Sequence, residues 1–202
     1  MEKESICLNK YAKGFIIDVK NFETASKKAY SDMARHTLRI DADDKTKTAL
    51  KKEVTKYLQK QVRTLDASNI NQNTFDEWHD NICMEIMKIY HDRSYPFYYG
   101  QAQKWLNMLF KYLYVYNVKG YEFLFSDQLI KTLHMPIDTK VIKELHNKYN
   151  IKWPNSGWSK WDQDTYQSYQ TNVREQLAQD TTLTEDEKLA FYWELIHWQN
   201  LN

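Results

Sequence analysis

The sequence predicts an all-α protein of about eight helices, and three observations carry that expectation. Glycine and proline together number seven in 202 residues, too few for a turn-rich β fold. Apolar residues recur at helical spacing in segment after segment. Ser, Thr or Asp stands just ahead of several of these segments, where a helix needs an N-cap. No segment shows the sustained alternation of a strand ladder.

Taken in order, residues 22–39 read as a helix with a mixed face. Residues 43–63, DDKTKTALKKEVTKYLQKQVR, carry Ala49, Val54, Leu58 and Val62 as an apolar stripe, with lysines filling the rest. Thr74 with Glu77 three residues later reads as a capping box. It would open a helix that places Trp78, Ile82, Ile86 and Ile89 on one face. RSYPFYYG interrupts the pattern, and a helix over 101–117 follows. A short helix over 126–133 takes Ser126 as its cap. His134-Met135-Pro136 breaks again, and Asp138 caps the next helix. NIKWPNSGWSKW is a Trp-rich loop. Helices over 162–179 and 185–200 close the chain, the last capped by Thr184 with Glu187.

The length suits a single helical domain over 1–202, divided at its finest into lobes 1–92 and 93–202. The net charge of +1 does not announce a nucleic-acid partner. The distribution is uneven, however. Residues 1–66 hold 15 Lys and Arg against 10 Asp and Glu, whereas residues 159–202 hold 3 against 8. A basic N-terminal part could face a polyanion or simply be solvated. Two cysteines, Cys7 and Cys83, exclude a disulfide framework and a four-thiolate metal or iron–sulfur site within one chain. His79 and Cys83 share a helix face but are too few for zinc, so the pair is read as structural, and no metal or cofactor is expected. No apolar run is long enough to span a membrane, and the charged N-terminus lacks a signal-peptide core. The expectation is a cytoplasmic protein without a membrane partner.

The helix over 101–117 is apolar on most sides, as a central helix should be. Gln101, Lys104, Asn107 and Lys111 fall within one arc of roughly 120°, so this thin stripe must meet a cleft or polar partners. Lys104 heads it in the first turn, beside Gly100. A lysine there feels the positive end of the helix dipole and, among aromatics, loses hydration. Both effects lower its pKa and make an amine nucleophile available. A lysine that snorkels to solvent is the plainer reading. Asp138, held behind Pro136, is a rigidly placed carboxylate that can cap a helix and still face a cleft.

Gly100-Gln101-Ala102-Gln103-Lys104, followed by Pro136-Ile137-Asp138-Thr139-Lys140-Val141, resembles the helix–hairpin–helix DNA glycosylase superfamily. Within it, the chain looks like phage-defence glycosylases acting on modified bases. Residues 96–148 carry the resemblance. Ala102 stands where the family has a second glycine, Lys140 replaces the common histidine, and the interval from Lys104 to Asp138 is longer than usual. The resemblance implies a degenerate hairpin whose Gly100, Gln101, Ala102 and Gln103 grip DNA phosphate, with Lys140 beside them. It implies Asp138 as the group that stabilises the reaction at the sugar C1′, and Lys104 as Schiff-base nucleophile or as a DNA contact. A flipped base needs aromatic surfaces, and Tyr95, Phe97, Tyr98, Tyr99, Trp158 and Trp161 are the pocket or wedge candidates, or else lids over the core. The basic helix 43–63 would hold phosphate.

Two other readings stand beside this one. The first is a non-catalytic nucleic-acid-binding or helical protein-interaction protein, such as a phage-encoded inhibitor. The second is a hydrolase of another class, built on Asp76, Glu77 and His79.

Overall fold

The computed structural model describes residues 19–198. Within them the chain is helical, with no strand among the described residues. In order, the helices are α1 (Phe22–Ala34), α2 (Asp44–Arg63), α3 (Gln72–His91), α4 (Tyr99–Val115), α5 (Asp127–Thr132), α6 (Thr139–Tyr149), α7 (Gln163–Gln179) and α8 (Ala190–His197). Single 3₁₀ turns occupy Glu122–Leu124 and Trp158–Lys160. Cys7 lies outside the described residues. No helix among those described is long and apolar enough to cross a membrane.

The helix starts follow their caps. Ser126 and Asp138 cap α5 and α6 as expected, accepting from the N–H groups of Leu129 and Val141 at 3.2 and 3.0 Å. The start of α3 lies one turn earlier than Thr74 suggested. Asn71 is the N-cap, and Thr74 returns the bond to its N–H at 3.0 Å. Asn is the stronger cap, and the earlier start drives Phe75 into the core. The Thr184–Glu187 box forms, with Thr184 N–H 2.9 Å from Glu187 Oε2, but it closes only a turn. The helix proper begins at Ala190, and α1 ends at Ala34 rather than 39.

A contiguous hydrophobic core draws on all eight helices, from Val19 to Trp193, and crosses the expected lobe boundary at 92/93. At its centre is α4, in which every residue except Tyr114 is buried. Its neighbours surround it. α1 lies along one side, where Trp105 donates to Ser26 O at 3.1 Å. Towards α3, Phe110 meets Phe75 and Trp78. α2 packs on both α1 and α3 through Leu50, Val54, Leu58 and Val62, all fully buried. Leu50, rather than the expected Ala49, completes that stripe, because a leucine has far more apolar area to bury.

Candidate active site at the head of α4

α4 starts two residues earlier than the periodicity suggested, which moves Lys104 into the second turn. The close approach of the Trp-rich loop decides how α4 begins. The Gly100 N–H donates to Trp161 O at 3.0 Å, and a Cβ on Gly100 would sit 1.9 Å from Trp158 O. Only glycine lets that loop lie on the helix. Gln101 caps the helix through its side chain, accepting from Tyr98 N–H at 3.0 Å and donating to Thr37 O at 2.8 Å.

This corrects the expected phosphate grip. Gly100, Gln101, Ala102 and Gln103 are buried, and their polar groups are engaged within the protein. The Ala102 N–H donates to Tyr98 O, and the Gln103 side chain binds Gly100 O at 2.8 Å and accepts from Asn107 at 3.0 Å. A continuous helix replaces the expected hairpin, so no row of backbone N–H groups faces outward. Several of the aromatic candidates are likewise core. Phe97 stacks on Tyr90 at 4.1 Å, Tyr99 packs on Tyr166, and Trp161 packs on Tyr169 while its indole N–H binds Ser156 O. Tyr95 is half-buried against the core, and Tyr98 is exposed. Trp158 is half-buried and is the one pocket candidate seen against Lys104.

Lys104 and Asp138, 34 residues apart in sequence, do meet. Lys104 Nζ lies 3.3 Å from Asp138 Oδ2 and 3.3 Å from Pro136 O, with the Trp158 ring 5.8 Å away. Trp198, at the end of α8, donates its indole N–H to the same Oδ2 at 3.3 Å. Asp138 Oδ1 caps α6. Burial alone would raise the Asp138 carboxyl, but the Lys104 charge, the Val141 N–H and Trp198 together hold it below the usual carboxylate range. The Lys104 side chain is 5% exposed and that of Asp138 23% exposed, so solvent reaches the pair from the carboxylate side. Lys140 stands exposed at the second position of α6.

The segment that carries Asp138 is pinned from below. The Gln170 amide brackets Met135, accepting from its N–H at 3.2 Å and donating to its carbonyl at 2.8 Å. His134 is held between Asp76 (2.6 Å) and the Tyr166 hydroxyl (2.8 Å).

The remainder of the polar stripe meets partners as well. Lys111 donates to both oxygens of Glu194 at 2.7 and 2.8 Å, beneath the Trp198 ring at 5.1 Å. Burial pushes Glu194 up and Lys111 down. Asn107 accepts from His79 at 3.0 Å and donates to Tyr166 at 2.8 Å. The Tyr166 oxygen accepts from Asn107 and Gln170, so its own hydrogen must go to His134 Nδ1. That leaves His134 Nε2–H to donate to Asp76. By the same reasoning His79 donates through Nε2, and its Nδ1 faces the Cys83 thiol at 3.7 Å. Burial drives both imidazoles towards the neutral form and holds the thiol protonated. His79 and Cys83 thus serve the core, as expected. Among the described residues no three His, Cys, Asp or Glu side chains are grouped to hold a metal. The Asp76–Glu77–His79 group is dispersed: Asp76 binds His134 and Arg174, Glu77 is exposed, and His79 turns inward to Asn107.

Sequence reasoning missed Trp198 and Glu194. They stand at i and i+4 in FYWELIHW, which places them on one helix face. Nothing in their spacing points to Asp138, 60 residues away. Comparison of the chain with known protein families, with curated proteins and with solved structures finds no match.

Proposed function

We propose that this chain is a DNA N-glycosylase that removes a base, in the first instance a modified one, from a nucleotide turned out of the duplex. One observation carries the reading: a lysine and an aspartate from distant helices meet at 3.3 Å, between Trp158 and Trp198, with the carboxylate partly open to solvent. When the glycosidic bond breaks, the base leaves with the bonding electrons and positive charge develops at C1′. A rigid carboxylate close by stabilises that charge, because it is already oriented when the charge appears. Asp138 is held by three donors, so it needs no reorganisation. Trp158 offers an aromatic face beside the pair for an extruded base. Lys104 contacts the nucleotide or, once the base has left with the bonding electrons, passes a proton to Asp138, the nearest carboxylate, and attacks the cationic C1′. Phosphate would be held by exposed side chains around this opening, Lys140 and Lys160 among them, since 100–103 are inside the fold.

The purified protein is expected to leave abasic sites in DNA carrying modified bases. Asp138→Asn should abolish the product, and full activity in that variant rules the mechanism out. Borohydride trapping of a covalent adduct, lost in Lys104→Arg, assigns the Schiff-base route. Absence of the adduct restricts the enzyme to hydrolysis.

A second reading is favoured by the burial of Gly100–Gln103: a helical binding protein in which Lys104–Asp138 is a structural ion pair. One stoichiometric protein partner, with no abasic product from any DNA tested, would establish it.

A further inference from the structure

The outer face of α2 carries charge that the site at α4 does not use. Stepped at 100° per residue, Lys45, Lys52, Lys56, Lys60 and Arg63 fall within an arc of about 80°. All five are exposed, and Leu50, Val54, Leu58 and Val62 occupy the opposite face. No carboxylate falls inside the arc. Glu53, at its edge, is taken by Arg93 at 2.5 Å. Arg63 is fixed at one end, its Nε donating to the Tyr121 hydroxyl at 3.1 Å. At 1.5 Å per residue the stripe runs about 27 Å along a rigidly anchored helix. The chain's net charge is only +1, so this is a local concentration rather than a general excess.

We infer that this face is a polyanion-docking surface that lies along the phosphate backbone of duplex nucleic acid without reading its sequence. A duplex presents about one negative charge per 1.7 Å of axis, a continuous match for a single-sign stripe. Other partners fit less well. Among the described residues none of the large exposed hydrophobics lies on α2, so the stripe lacks the apolar wedge of a membrane-surface helix. It also lacks the aromatic anchor on which protein interfaces depend. Tyr57 is half-buried away from the arc, so no ring is offered to stack single-stranded bases.

The surface is separate from the candidate active site. On α4, Lys104 and Lys111 point to Asp138 and to α8, Trp105 to α1, and Phe110 to α3. α2 bridges α1 and α3, which places it across α4 from Asp138. The inference therefore does not rest on the glycosylase reading.

The test is fluorescence anisotropy of the full chain on a labelled random-sequence duplex between 50 and 200 mM salt. Each phosphate contact contributes about −0.9 to the slope of log K against log salt. Replacing Lys45, Lys52, Lys56 and Lys60 together with glutamine should weaken binding and reduce the slope by about 3.6. Lys131→Gln, an exposed lysine on α5 that belongs to neither surface, should keep the parental affinity and slope. These changes are on the surface, so an unchanged thermal midpoint confirms folding. The inference is overturned if the quadruple variant keeps the parental slope, or if the parent shows no salt-dependent duplex binding. It is equally overturned if anionic vesicles or single strands bind more tightly than the duplex.

Discussion

Two lysine–carboxylate pairs lie seven residues apart on one stripe of α4, and they do opposite things. Lys111–Glu194 is sealed: both side chains are 1% exposed. Lys104–Asp138 is open on its acidic side, at 23%. Trp198 touches both, stacking over Lys111 and donating to Asp138. A sealed pair can only hold helices together, because nothing reaches it. An open pair on the same scaffold inherits that rigidity and can still meet a ligand. Residue type does not separate the two; access does.

The largest expected effect tests the sealed pair. Glu194→Ala leaves a buried ammonium without its carboxylate and should cost ~3–5 kcal/mol. Thermal unfolding should show this as a drop of roughly 6–20 °C. The double change Lys111→Met with Glu194→Leu should recover most of that loss, since a buried pair is commonly worth no more than apolar packing of similar volume. Equal losses in the single and double variants would show that the pair itself stabilises the fold.

Gly100→Ala comes next. Its Cβ would overlap the Trp158 carbonyl, a backbone atom that can move only with its loop. A loss of about 1–3 kcal/mol is expected. Under the glycosylase reading, displacing Trp158 should also remove abasic-site formation while Lys111–Glu194 stays intact. Chemical denaturation and the abasic-site assay check the two halves separately.

Acid extends the comparison to the neutral part of the stripe. Folded His79 and His134 bind a proton less readily than the unfolded chain does. Their contribution is therefore complete above about pH 6.5 and is lost as the pH falls through that value, at up to about 1.4 kcal/mol per pH unit for each ring. Urea midpoints measured down to about pH 5.5 should fall steadily, and His134→Gln should shallow the slope. A flat profile contradicts the neutral assignment.

Asp138→Asn should disturb stability least. Asparagine keeps one acceptor for the cap, but its NH2 then faces Lys104 and Trp198 and the buried ammonium loses its carboxylate, so a loss of about 1–2 kcal/mol is expected. Under the glycosylase reading, product formation is nevertheless lost.

Much of the fold was legible because caps and 3.6-residue periodicity are local properties. The Asp138 cap, the Ser126 cap and the apolar breadth of 101–117 all follow from a few neighbouring residues. The pairing of Lys104 with Asp138 was reachable because both head or follow helix starts in a recognisable pattern. Gly100 was misread for an equally physical reason. Its need for a bare Cα comes from the Trp158 carbonyl, 58 residues downstream, and a glycine required by a distant backbone looks the same in sequence as one required by a phosphate. Glu194 and Trp198 were invisible because their role depends on where α8 docks, which no local spacing records.

The hydrogen bonds from Cys83 through His79, Asn107, Tyr166 and His134 to Asp76 all point one way, each donor facing the next acceptor. Such a chain has a polarity. Turning any one inner member around would set two donors face to face at one of its links and two lone pairs at the other. α3, α4, α7 and the segment before Asp138 are thus keyed to one another by a directional code as well as by shape. A slip of one helix that preserved every apolar contact would still be refused. The two imidazoles should report the intact code: with the hydrogen of each on Nε2, a ring N–H resonance that exchanges slowly with water is expected for both.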